Sequence, residues 1–293
     1  MKVALTGATG FIGSHVLTEL QEHGHEVTAL VRDDAQADIV AARGATPTVA
    51  DLYDRPAAAS LLSKTDGAIH TASPGDATSA NLDSAVVDAV IDAFAGTGKP
   101  YLQISGLWIY GANSSITEES PFHAPAMVSW KEPIERRVLG AAGMRAVVIV
   151  SGVAYGDGGG GIPGLLLGSP RDDAGNLIML GTGQQRWSTV HVADLADVFR
   201  RVLEDDSARG RYVIGNGVNS TVAELTEAAA VAAGAPGAVP GSDDEARARL
   251  GDYFAEVLLL DQGTDTARAR AELGWHPSHP ALTDEFRHGS YRK

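Results

Sequence analysis

Gly7, Gly10 and Gly13 fall at G-x-x-G-x-x-G spacing within the first thirteen residues, Met1-Lys2-Val3-Ala4-Leu5-Thr6-Gly7-Ala8-Thr9-Gly10-Phe11-Ile12-Gly13. No other stretch constrains the fold as tightly. A short apolar strand pattern leads straight into the glycines, and an apolar helix pattern (Phe11, Ile12, Val16, Leu17, Leu20) leaves them. A Cβ at the first glycine would block a tight turn, at the second the approach of a pyrophosphate, and at the third the packing of helix on strand. The helix N-terminus then offers unpaired N–H groups and a partial positive charge to an anion. The pattern predicts a dinucleotide-binding turn formed by Gly7, Thr9, Gly10, Phe11, Ile12 and Gly13. Tight packing alone is the competing explanation, and the strand before and helix after the glycines weigh against it.

Strand and helix patterns alternate through the first half of the chain, the signature of a doubly wound parallel sheet. Strands are predicted over 27–31, near 46–50, over 67–71, 101–105 and 145–151, with helices over about 81–94 and 129–139. The 145–151 segment is almost wholly apolar, as a strand buried on both faces should be. The expected fold is α/β, a Rossmann-type doubly wound parallel sheet with a smaller C-terminal substrate lobe. The expected division is a cofactor domain over 1–152, with 186–216 returning to it, and a substrate lobe from 153–185 and 217–293. Gly156 to Gly161 reads as either a flexible surface connection or a mobile rim over a pocket. Residues 234–241 read as a Pro/Gly/Ala linker, and 257–260 as a late strand.

At 293 residues the chain can bury a full α/β core and a second lobe. It has no cysteine, which removes disulfides, thiolate metal sites and cysteine nucleophiles. The net charge of -14 argues against nucleic-acid binding through a basic surface. No apolar run approaches the length of a membrane span, and no signal-peptide pattern opens the chain, so a cytoplasmic setting and no membrane partner are expected.

The predicted second strand ends Leu30-Val31-Arg32-Asp33. An arginine at this strand end suits the 2′-phosphate of NADP, whereas an acidic residue suits the 2′-hydroxyl of NAD. Arg32 carries a planar fork that matches a phosphate bidentately. It therefore favours NADP, with Asp33 as the competing residue that would make NAD the cofactor. Asp51 and Leu52 are placed beneath the adenine, and Thr71, Ala72 and Ser73 at the carboxyl edge of the fourth strand, where ligands bind in such sheets.

Taken together, Thr6-Gly7-Ala8-Thr9-Gly10-Phe11-Ile12-Gly13, Ile104-Ser105-Gly106-Leu107-Trp108-Ile109-Tyr110-Gly111, Val153-Ala154-Tyr155-Gly156, the 186–196 block Arg186-Trp187-Ser188-Thr189-Val190-His191-Val192-Ala193-Asp194-Leu195-Ala196, and Leu273-Gly274-Trp275-His276-Pro277 resemble the extended short-chain dehydrogenase/reductase superfamily, its NAD(P)-dependent epimerase/dehydratase group. The resemblance spans nearly the whole chain. It implies an oxidoreductase or epimerase that binds a nicotinamide cofactor and a small-molecule substrate. It also implies a homodimer built on the helices beginning near Asn81 and Ser129, where Ala85, Ala89 and Ala93 would allow close packing. The family's chemistry rests on a tyrosine four residues before a lysine, plus a serine from the fifth strand. The lysine lowers the tyrosine's pKa, and the serine holds the substrate oxygen. Lys131, followed by Glu135, matches the lysine. Met127 stands where the tyrosine belongs, and Gly106 where the serine most often lies, leaving Ser105 beside it. A thioether has no proton to give.

The remaining donors are Lys131, Ser105, Tyr155 and His123, with Tyr110 behind them; both tyrosines also suit packing at strand ends. Lys131 is expected at the nicotinamide ribose, though a charged helix also suits a solvated salt-bridge lysine. Three activities stay open: hydride transfer with a non-standard donor, a sugar or sugar-nucleotide epimerase or dehydratase, and a cofactor-binding sensor or non-redox isomerase or cyclase. Arg186, beside Trp187, is a candidate substrate contact. His191 and Asp194 are expected to cap a helix and hold a loop. His276 and His279 are flanked by prolines and lack a third ligand, so no metal is expected.

Overall fold

A computed structural model describes residues 1–292. Two compact units emerge from it. The first comprises Met1–Ser105, Trp130–Ile149 and Leu195–Tyr212; the second comprises Gly106–Ser129, Val150–Asp194 and the chain from Val213 onward.

In the first unit, strands β1 (Lys2–Thr6), β2 (Glu26–Val31), β3 (Thr46–Val49), β4 (Gly67–His70) and β5 (Pro100–Gly106) alternate with helices α1 (Phe11–Glu22), α2 (Asp34–Ala42), α3 (Arg55–Leu62) and α4 (Ser79–Phe94). They join Arg145–Ser151 and Gly210–Ile214 in a seven-stranded sheet ordered Gly210–Ile214, Arg145–Ser151, β5, β4, β1, β2, β3. The pairs β1–β2, β1–β4, β2–β3 and β4–β5 are all parallel. Chain order reverses between β1 and β4, which is the topological switch point where such sheets bind ligands. The physical cause is in the residues. Every residue of Arg145–Ser151 is buried, and Val3, Ala4 and Leu5 of β1 are shielded on both faces. Helix α1 buries Val16, Leu17 and Leu20 on one stripe, and Gly24 at positive φ turns the chain into β2.

Register decides which side chains meet. Thr6 lies opposite His70, and His70 opposite Gln103, in neighbouring parallel strands. These three polar side chains therefore form a row across one face of the sheet, and Tyr101, two residues before Gln103, shares that face.

The second unit has its own core, with Tyr155, Leu166, Leu177, Leu180, Trp187, Val222, Leu225 and Phe286 among its buried side chains. Three expectations are corrected here. The apolar run at 257–260 is not a strand: Asp252–Leu258 is a helix that buries Ala255, Val257 and Leu258, and the strand follows at Gln262–Thr264, parallel to Asn113–Ile116. A short apolar run alone cannot separate the two states, and the three-residue spacing of Ala255 and Leu258 favours the helix. The 234–241 segment is not a free linker, because Ala238–Val239 pairs with Leu177–Ile178. The glycine-rich loop is bonded to the C-terminal segment rather than left as a loose connection. Tyr291 Oη accepts from Gly156 N at 2.8 Å and donates to Gly159 O at 2.5 Å, while Ser290 Oγ accepts from Gly158 N at 2.9 Å. The C-terminal side chains supply the bonds that hold one loop conformation.

Candidate functional site

The turn between β1 and α1 divides the roles of its glycines. Gly7 has φ +77°, and a Cβ there would sit 2.6 Å from Ala72 N; a Cβ at Gly13 would collide with the Gly7 carbonyl and with Thr71 Oγ1. These two are required by the protein's own packing. At exposed Gly10, by contrast, a Cβ would meet only Gly7 O, at 3.2 Å. Its bare face opens outward. Gly10 also caps α1 without any side-chain bond, and no acidic residue occupies the first turn. The first N–H groups of a twelve-residue helix thus point at this opening with no anion of the chain's own to meet them. Thr9, Phe11 and Ile12 flank it, each partly buried. A diphosphate fits this cradle.

Beyond β2, Asp33 is the N-cap of α2: its carboxylate accepts from Gln36 N at 2.8 Å. Gln36 Oε1 in turn accepts from Arg32 N at 3.2 Å. Asp33 is committed to the helix, while the Arg32 side chain is exposed beside the strand end. Beyond β3, Asp51 Oδ1 accepts from Tyr53 N at 2.9 Å, Leu52 is half-buried, and Tyr53 is 53% exposed. Beyond β4, Thr71 Oγ1 donates to Thr6 O at 2.8 Å, Ala72 lies against Gly7, and Ser73 Oγ lies 3.3 Å from Ser79 Oγ. The β4 exit is therefore locked onto the glycine turn.

Helix α5 (Lys131–Leu139) starts at Lys131, two residues later than predicted. Lys131 Nζ donates to Asp83 Oδ2 at 3.4 Å and lies 4.4 Å from the centroid of the Trp130 ring. Asp83 sits on the buried side of α4. Its Oδ1 is 3.2 Å from His70 Nε2, its Oδ2 accepts from Gln103 Nε2 at 3.2 Å, and His70 Nδ1 is 2.6 Å from Thr6 Oγ1. Burial works to raise the Asp83 pKa, but the hydrogen bond and charge of His70, and then Lys131, outweigh it and hold the carboxyl below its usual range. One helical turn beyond Lys131, buried Glu135 accepts from Ser105 Oγ at 2.6 Å and from Arg211 Nε at 2.9 Å. Lys131 and Ser105 are thus each tied to a buried carboxylate, Asp83 and Glu135, that the sequence reading did not single out as functional. The available signal was Asp83 itself, an acid inside the apolar stripe Leu82, Val86, Val87 and Val90 of α4.

The other donor candidates belong to the second unit. Tyr155 is buried; its hydroxyl donates to Pro280 O at 2.7 Å and accepts from Asn216 Nδ2 at 3.2 Å. Burial pushes its pKa well above the usual phenol range. Tyr110 is wholly buried and packs on Phe122. His123 is exposed, and its backbone N–H donates to Ile109 O. Met127 is 37% exposed. Arg186 holds Asp261 with two bonds of 2.9 and 2.6 Å, which raises the guanidinium pKa further and occupies its fork. His191 Nδ1 accepts from Ala193 N at the start of the helix Val192–Glu204, and Asp194 accepts from Ser278 N and Oγ and from His279 N and Nδ1. Among the described residues no group of three or more His, Asp or Glu is arranged to hold a metal, and no helix is long and apolar enough to cross a membrane.

The chain is similar to a protein of Schizosaccharomyces pombe, C2A9.02, at 27% identity over 99% of this chain and all of that one. It is also 26% identical to a 3-diazoavenalumate denitrifying reductase of a Streptomyces species, over 97% of this chain and 98% of the relative. Its fold matches the crystal structure of the human epimerase family protein SDR39U1 (isoform 2) with NADPH, with a TM-score of 0.77 and 23% identity over 99% of both chains. The family model of the NAD dependent epimerase/dehydratase family matches residues 3–215. The chain belongs to that family.

Proposed function

We propose that the protein is an NADP(H)-dependent oxidoreductase that reduces or oxidises a small carbonyl or hydroxyl compound, with Lys131 in place of the missing phenol. The observation that carries the cofactor choice is the commitment of Asp33 to the α2 N-cap. One oxygen of the Asp33 carboxylate is taken up by Gln36 N, while the exposed Arg32 side chain stands at the strand end to meet a 2′-phosphate. The human relative solved with NADPH agrees with this choice. In this reading Gly7, Gly10 and Gly13 with Thr9, Phe11 and Ile12 hold the diphosphate. Asp51 and Leu52 line the adenine, joined by exposed Tyr53, and Thr71, Ala72 and Ser73 border the nicotinamide half. The cofactor, when bound, supplies or accepts the hydride. Lys131 holds the nicotinamide ribose and passes the balancing proton to or from the substrate oxygen. Ser105 and Glu135 support the floor of the site. We assign Tyr155 and Tyr110 to packing, given their burial, and leave His123 as the second donor.

Arg186, the candidate substrate contact, is already paired with Asp261. We further propose that 1–152 with 186–216 binds the cofactor and 153–185 with 217–293 the substrate, that the protein works in the cytoplasm, and that it forms a homodimer through α4 and α5. The test is a fluorescence titration with NADPH and NADH, followed by a panel of carbonyl compounds monitored for loss of nicotinamide absorbance. Tighter NADPH binding and turnover of some carbonyl are expected. Binding without turnover across a broad panel would favour a sensor, and absence of binding would overturn the proposal.

A further inference from the structure

The Thr6–His70–Asp83–Lys131 chain is the one buried titratable cluster of the first unit that links the strand feeding the glycine turn to the lysine of α5. Its geometry follows from register. Thr6, His70 and Gln103 are cross-strand neighbours on one sheet face, and Asp83 of α4 closes over them. Asp83 is 3% exposed, yet it is no orphan: one oxygen faces His70 Nε2, and the other accepts from Gln103 and Lys131. A carboxylate placed so deep costs several kcal/mol unless partners answer it, and here His70, Gln103 and Lys131 do.

An ammonium has three N–H donors. Asp83 takes one from Lys131 on its buried side, and the Trp130 ring face lies beneath the charge. The Lys131 side chain stays 20% exposed, so the ammonium is within reach of a ligand. We infer that Asp83, anchored by His70 and Gln103, is the positioning residue for Lys131, fixing the ammonium so that one of its two remaining donors meets a hydroxyl of a nicotinamide ribose and the other is left for the substrate oxygen. This rests on the NADP(H) reading above, and adds to it a carboxylate that acts only through the lysine. Thr6 Oγ1 against His70 Nδ1 makes the anchor continuous with the last residue of β1, so lysine and diphosphate turn share one rigid support.

The prediction is specific to one end of the ligand. In titrations by calorimetry, Asp83→Asn should weaken NADPH about tenfold, or about 1.4 kcal/mol, and leave adenosine 2′,5′-bisphosphate, which lacks the nicotinamide ribose, within about twofold of wild type. In a Lys131→Met background the same Asp83→Asn change should add less than about twofold, because the group it positions is gone. If Asp83→Asn does not fold, Asp83→Glu, which retains the charge and moves the carboxylate by one methylene, carries the same comparison. Equal weakening of both ligands, no weakening of either, or a full effect that survives Lys131→Met would each overturn the positioning role. Wild-type protein that binds neither ligand would instead overturn the NADP(H) reading beneath it.

Discussion

At the scale of single residues, Arg32 and Asp33 show how far a sequence can be read. Their order at the end of β2 made two cofactors possible, and nothing in the sequence ranked a helix cap above a ribose contact for Asp33. The structure ranks them through one bond: Asp33 Oδ1 accepts from Gln36 N. A side-chain cap depends on the dihedral angles of the residue that makes it, and those become visible only once the helix start is fixed at Asp34. The consequence can be measured. Arg32→Ala should weaken NADPH at least tenfold, the scale of a lost hydrogen bond to a charged group of about 1.5 to 3 kcal/mol, and change NADH less than twofold. Equal loss for the two cofactors in the same titration would remove Arg32 from the phosphate. Asp83 marks the opposite limit. Its place in the helix pattern was plain, but its meaning came from three strands whose register a sequence does not print.

Among the elements, the β1–turn–α1 unit was legible because each of its constraints is local: strand, glycines and helix follow one another in the chain. Its three glycines nonetheless differ, and the difference makes a prediction. Gly13→Ala should lower the melting temperature sharply, since the new methyl collides with the Gly7 carbonyl. Gly10→Ala should fold with a melting temperature close to wild type, because it meets only one atom at a tight contact distance, yet it should lose most NADPH affinity. A Gly10→Ala protein that melts early, or that binds normally, would contradict this division. The second unit was harder to read because its elements are held by partners far along the chain. Asp194 gathers four hydrogen bonds from Ser278 and His279, more than eighty residues away. Burial acts to raise its pKa, but the His279 and Ser278 bonds prevail and hold it below the usual carboxylate value. A group with a depressed folded pKa contributes stability above its unfolded value, about 3.9, and loses it as pH falls through the lower folded value. Asp194→Asn should therefore cost about 3 kcal/mol at pH 6, from lost charged hydrogen bonds. That cost should shrink as pH falls below about 4. Urea midpoints of wild type and variant at pH 6 and pH 2.5 measure it, and a gap that stays constant would refute the linkage.

For the molecule as a whole, charge and surface bear on assembly. The resemblance pointed to α4 and α5 as the dimer face, with Ala85, Ala89 and Ala93 as its close-packing positions. In the folded chain Ala89 is wholly buried, and α3 packs against α4. The exposed positions instead carry ion pairs closed within the chain, Arg55 with Asp92 and Asp88 and Arg137 with Asp88, and Arg137 also donates to the Ser84 carbonyl. These exposed pairs contribute little stability in one chain. Being satisfied already, they also give a second copy few free charges to pair with. Two chains of net charge -14 repel each other at long range, and salt screens that repulsion. A dimer built on α4 and α5 should therefore hold or tighten as salt rises from about 50 mM, a range in which the Debye length falls below about 14 Å. Light scattering at micromolar concentration should return twice the 30.4 kDa chain mass, unchanged in 0.5 M sodium chloride. Arg137→Glu, which places like charges beside Asp88, should shift the mass toward one chain without changing the NADPH affinity. A wild-type mass of one chain at every salt concentration would refute the dimer and leave the proposed cofactor site untouched.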